Sequence, residues 1–171
     1  MKKLNLFLTT VAFSLLFIPS ILAQSKAKAN KDTNNWRYEI EAVGVATQGN
    51  CLVKVWTYSK KANTAIDQAK KNAVHGLIFK GYAGKQGVPG QLPLANNTNI
   101  EFEHADFFKN FFDEGGKYMK FVSVSGDAVA SQDVYSVGKE YKVGVIVLVN
   151  TALLRKDLED AGIIRSLNSG F

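Results

Sequence analysis

Residues 141–149, Tyr-Lys-Val-Gly-Val-Ile-Val-Leu-Val, constrain the fold more than any other stretch downstream of the N-terminal region. Stiff β-branched side chains dominate the run, and such residues suit a pleated strand better than a helix. A segment this apolar gains little from water on either face, so it reads as a central, fully buried strand. It therefore needs strand partners on its edges and at least one further layer packed against it.

The rest of the chain supplies those partners. Trp36 to Ala46 alternates, with Trp36, Tyr38, Ile40 and Ala42 on one face and Arg37, Glu39 and Glu41 on the other, the period of a half-buried strand. Gln48-Gly49-Asn50 signals a turn, and Cys51 to Tyr58 is again strand-like. Its two faces both carry bulk, Cys51, Val53 and Val55 against Leu52, Lys54 and Trp56. Residues 61–80 form an amphipathic helix, with Ala62, Ile66, Ala69, Ala73 and Leu77 in one stripe and Ala65, Val74 and Ile78 beside it. Ser59 is its expected cap, and Asp67 and Lys71 are spaced for an i,i+4 pair on the solvent side.

From Gly81 to Ile100, glycines, prolines and asparagines make a long connection, the kind of loop that often binds or gates. Residues 101–114 predict a short helix with an aromatic ridge of Phe107, Phe108, Phe111 and Phe112. The ridge is core, or a docking surface if nothing covers the helix. Gly115-Gly116 ends it. Strands are expected over Tyr118–Ser125 and, as a polar edge, Ala128–Val137. Asn150 or Thr151 caps a closing helix over 152–161, stopped by Gly162. The order predicts an α+β, two-layer sandwich: a mostly antiparallel five-stranded sheet with helices packed on one face.

The N-terminus carries a different message. Lys2 and Lys3 precede a largely apolar stretch from Leu6 to Ala23, with Pro19 near its end and Ala23 before Gln24. That is the pattern of a cleaved export signal; the alternative is an uncleaved anchor. Residues 1–23 are thus read as signal peptide, 24–35 as a disordered polar leader, and 36–171 as a single domain. The expected product is periplasmic or secreted, without a transmembrane anchor. It retains 148 residues, enough for a real core. Cys51 is the only cysteine, so no intramolecular disulfide is available, and no lipid-bearing cysteine follows the signal. In a strand pattern Cys51 is expected to be a buried, inert thiol.

Little chemistry can be read from the motifs. No G-x-S-x-G is present, and two histidines with one cysteine make a poor zinc set. The local cluster Glu101, Glu103, His104 and Asp106 has oxygens for a hard cation, but acids also favour the first turn of a helix through its dipole. Neither metal nor cofactor is expected. Glu39 and Glu41 share one strand face, whereas glycoside cleavage needs carboxylates facing each other across a cleft.

Residues 24–90 hold eleven Lys/Arg against four Asp/Glu, and residues 91–171 hold eight against eleven. Such asymmetry points to an anionic partner or simply to solvated surfaces. Nucleic acid is not expected, because the product is exported and lacks a nucleic-acid motif. Lys80, Tyr82 and Lys85, on the glycine-rich connection, are the candidate ligand-binding residues, for an anionic glycan or a lipid headgroup.

An Ala-Gln cleavage site, a short polar leader and a two-layer domain resemble the small envelope proteins of Bacteroidetes-type bacteria. The stretch from Val43-Gly44-Val45-Ala46 through Ala62, Ala65, Ala69 and Ala73 is similar to the N-terminal domain of flagellar-assembly T-proteins and of some outer-membrane lipoproteins. This chain departs from it by inserting the strand Cys51–Tyr58 and by lacking the lipid-bearing cysteine. The resemblance implies an accessory role in an envelope assembly, with an envelope protein as partner and without catalysis. It carries over no site residue. The expected function is a non-enzymatic binding or assembly-accessory protein; the alternative is a small envelope enzyme acting on glycan through carboxylates.

Overall fold

The computed structural model describes residues 36–44, 46–126 and 129–166. The expected signal peptide and polar leader lie outside the described residues. Five strands and four helices follow in order: β1 (Tyr38–Gly44), β2 (Asn50–Ser59), α1 (Ala62–Phe79), α2 (Ile100–Glu103), α3 (Ala105–Phe111), β3 (Val122–Val124), β4 (Val134–Val137), β5 (Glu140–Asn150) and α4 (Thr151–Asp160). Short 3-10 turns precede β3 and β4.

Every strand pair is antiparallel. The sheet runs β1-β2-β5, and the far edge of β5 is shared by β3 at Val147–Val149 and β4 at Glu140–Val143. The helices lie on one side. This is the α+β sandwich with a mostly antiparallel five-stranded sheet that the sequence predicts.

The core sits between the inner sheet face and α1. Val53 and Val55 of β2 and Val145, Val147 and Val149 of β5 are completely buried, as are Ala65, Ala69, Ala73 and Leu77 of α1. The small alanines let the helix axis lie close to the sheet, and branched strand side chains fill the gap at interior density.

Outside α1, a second apolar layer comes from Phe108, Phe111, Phe112, Tyr118 and Phe121, all buried and in mutual ring contact. The aromatic ridge is therefore core. Because α1 is covered on both sides, its polar stripe is buried too: Thr64, Gln68, Lys71, Asn72 and His75 are each at most 5% exposed. The expected Asp67–Lys71 pair does not form. Asp67 instead meets Lys70 at 3.1 Å, while Lys71 turns under the Trp36 ring.

Other local expectations are corrected. Ser59 does not cap α1; its Oγ closes a tight turn by accepting from the Lys61 N–H, and Lys61 occupies the cap position. The helix expected over 101–114 breaks at His104 into α2 and α3. The first half of Tyr118–Ser125 is a 3-10 turn, because Tyr118 and Phe121, three apart, both turn into the aromatic layer. Only Val122–Val124 remains extended. Asn150 caps α4 as expected, accepting from the Leu153 N–H at 2.9 Å.

The central strand is buried on one face rather than two. Its inward valines are sealed, but Lys142, Ile146 and Leu148 stay half-buried. Among the described residues, no second layer covers the outer face of the sheet.

Candidate functional site

That outer face carries the most organised surface chemistry among the described residues. The register places Trp56 of β2 directly opposite Gly144 of β5. A Cβ at Gly144 would stand 2.9–3.1 Å from three atoms of the six-membered indole ring. The glycine thus makes room for the indole to lie on the strand. The ring is then fixed from several sides. Its Nε1–H donates to Glu41 Oε1 at 2.9 Å. The Lys54 and Lys142 ammonium groups each sit 5.4 Å from the ring centre, within cation–π range. Tyr135 of β4, half exposed, lies 5.6 Å away. Arg37 covers the Tyr58 ring on the same face at 4.1 Å.

Charges on this face are balanced in pairs. Lys142 meets Glu39 at 2.8 Å, Lys85 meets Glu41 at 2.7 Å, and Arg37 pairs with Glu140. Lys54 meets Asp133 at 2.9 Å in the least exposed pair of the four. The Lys85 ammonium holds the Glu41 carboxyl below its ordinary range. Glu41 is therefore an anion at neutral pH and a poor general acid.

The three residues expected to bind ligand turn to three different partners. Lys80 caps the Tyr38 ring at 4.1 Å. Tyr82 lies against the Cys51 thiol; burial pushes the phenol up to about 12 and the thiol up to about 11. Lys85 holds Glu41. The connection that carries them is a folded hairpin rather than an open loop. Tyr82 and Gln91 exchange backbone hydrogen bonds at 2.9 Å, and Lys85 and Val88 do so at 3.0 Å. Its tip, Gln86-Gly87, has positive φ at both residues, the geometry of a two-residue type I′ turn. Leu94 and Ala95 then return to the end of α1 through backbone bonds to Leu77 and Ile78.

A buried polar cluster lies on the opposite side of the sheet. The Tyr38 hydroxyl contacts His75 Nδ1 at 2.7 Å, and Trp36 stacks on the imidazole at 3.5 Å. Burial, with Lys80 and Lys71 nearby, pushes His75 down to about 3, so the ring is neutral. With Tyr38 donating to Nδ1, the ring proton sits on Nε2, 3.4 Å from Glu101 Oε1 and beyond ordinary hydrogen-bond length. His75 is 3% exposed beneath Trp36, so no substrate-sized group reaches it. The cluster orders the core.

Among the described residues, no group of three His, Cys, Asp or Glu side chains gathers in reach of one metal ion. No helix among them is long and apolar enough to cross a membrane.

Sequence reasoning passed over Trp56 and Tyr135 as site residues. The available signal was the pairing of a tryptophan strand with a glycine-containing apolar strand, which becomes a site only through register. Comparison of the chain with protein-family models, with curated proteins and with solved structures finds no match.

Proposed function

We propose that this chain is an exported, non-enzymatic binding or assembly-accessory module of the cell envelope, and that the outer face of the sheet meets its partner. The observation that carries this reading is the immobilised indole of Trp56, seated on Gly144, bonded to Glu41 and flanked by Tyr135 on an uncovered face. Tryptophan and tyrosine are the side chains most often found at the energetic centre of protein interfaces. An indole that is already fixed loses little entropy on binding.

Pairing of the charges selects between partners. Each of the four cations on this face already has a carboxylate. A polyanion would have to displace those carboxylates, so a protein surface with its own mixed charges is the better-matched partner. For catalysis on glycan, Glu41 is held ionised and so cannot serve as the general acid that such a reaction needs.

Two measurements test the proposal. Intact mass of the native protein should correspond to a chain beginning at Gln24. Lysine cross-linking in intact cells should capture an envelope protein through Lys54 or Lys142, and the double substitution Trp56→Ala, Tyr135→Ala should abolish that cross-link in a protein that still folds.

A further inference from the structure

A groove of about 1230 Å³ lies away from the sheet face, where the 90–97 segment, the α2–α3 junction, the first turn of α4 and residues 163–166 come together. Its lining has two chemical parts. Leu94, Ile100 and Ile163 are buried and form an aliphatic floor, and Ile164 is half-buried beside them. Arg155 and Arg165 also line it, and they are two of the three arginines in the chain.

Both guanidinium groups are underused. Among the described residues, Arg165 makes no ion pair or hydrogen bond. Arg155 makes no hydrogen bond among the described residues, and its one ion pair there, with Glu159 a helical turn on, is long at 3.7 Å. By contrast, Arg37 is fully engaged by Glu140 and Tyr58. Glu103 is the only carboxylate in the lining, and Asn97 Nδ2 holds it at 2.9 Å. The groove therefore presents two guanidinium forks, Arg165 without an ion pair among the described residues and Arg155 held only by its long contact to Glu159, and a planar fork of this kind recognises a carboxylate in bidentate fashion. At its edge Leu92 is 85% exposed, an aliphatic side chain that a bound chain would cover.

The geometry points to a binding site for an aliphatic carboxylate, its chain on the Leu94–Ile100–Ile163 floor and its head group on Arg155 and Arg165. The apolar floor separates this ligand from a bare inorganic anion, which would use the arginines alone. The arginines separate it from a neutral hydrocarbon, which would use the floor alone.

The test uses decanoate as probe, with decanol and acetate as controls, followed through the methyl resonances of Leu92, Ile163 and Ile164 in the folded protein. Decanoate should shift all three in a saturable way, and neither control should match its affinity. Arg165→Gln, at an exposed position, should weaken decanoate about tenfold or more while leaving the thermal midpoint unchanged, because a charge-assisted bond is lost. Leu92→Asp should weaken it comparably by placing a like charge at the rim. Equal affinity for decanol, equal affinity for acetate, no saturable shift, or full affinity in both variants would each overturn the assignment.

Discussion

Trp56 and Gly144 face each other across β2 and β5, and the indole fills the space a Cβ would need. The larger residue is held in place by the absence of a side chain on its partner. Gly144→Ala should push the ring off the strand and break its bond to Glu41. Overpacking costs about 1–3 kcal/mol and the stiffer backbone returns about 0.5–1, so a net loss near 1 kcal/mol is expected. The indole N–H resonance of Trp56 should lose its protection from solvent exchange. An unchanged resonance would show that the ring does not depend on the glycine.

His75 makes stability depend on pH. Its folded pKa is pushed down to about 3, whereas an unfolded histidine titrates near 6.5. The unfolded chain therefore takes up a proton that the folded state refuses, and stability falls as pH drops below 6.5. Between pH 7 and pH 5, the wild type should lose about 2 kcal/mol more than His75→Gln, measured by urea unfolding. Glu101, Lys71 and Lys80, which face the ring, are common to both proteins, so the difference isolates the imidazole. Parallel pH profiles would contradict the burial of a neutral ring.

Leu77 is completely buried where α1 meets the sheet. Leu77→Ala should cost about 2–5 kcal/mol in equilibrium unfolding, because a close-packed core relaxes only partly around the cavity. A loss below 1 kcal/mol would mean that this face of the helix is loosely packed.

The 82–91 hairpin depends on two glycines that meet backbone to backbone. A Cβ at Gly90 would lie 2.5 Å from the Gly84 amide nitrogen and 2.6 Å from the Tyr82 carbonyl oxygen. Neither atom can yield as a flexible side chain would. Gly90→Ala should open the hairpin, and limited proteolysis should then cut within residues 82–99 much faster than in the wild type. Equal cutting rates would show that the segment is open already.

The elements with a clear period were legible in the sequence. β1 and β2 show their alternation, α1 its alanine stripe, β5 its run of valines, and α4 its Asn150 cap. What escaped was set by contacts between distant segments. Lys71 reads as solvent-facing because nothing in α1 announces that the Trp36 ring will lie against it. The glycines of 81–90 read as an open loop because the close approach of Gly84 to Gly90 is a tertiary fact. The candidate surface escaped for the same reason: Trp56, Tyr135 and Gly144 come from three strands, and only their register makes them one site. Lys80, Tyr82 and Lys85 are grouped by proximity in sequence, and the partner each one meets, Tyr38, Cys51 and Glu41, is again a tertiary fact.

The binding surface is tested by a photo-cross-linking residue at position 135, in place of the half-exposed Tyr135, and a second, as control, at the exposed Lys109 of α3. Irradiation of intact cells should yield one reproducible envelope-protein adduct from position 135 and none from position 109, with the adduct lost on Trp56→Ala. Adducts from position 109 alone, or an adduct at position 135 that is indifferent to Trp56, would contradict the claim that the outer face of the sheet is the binding surface.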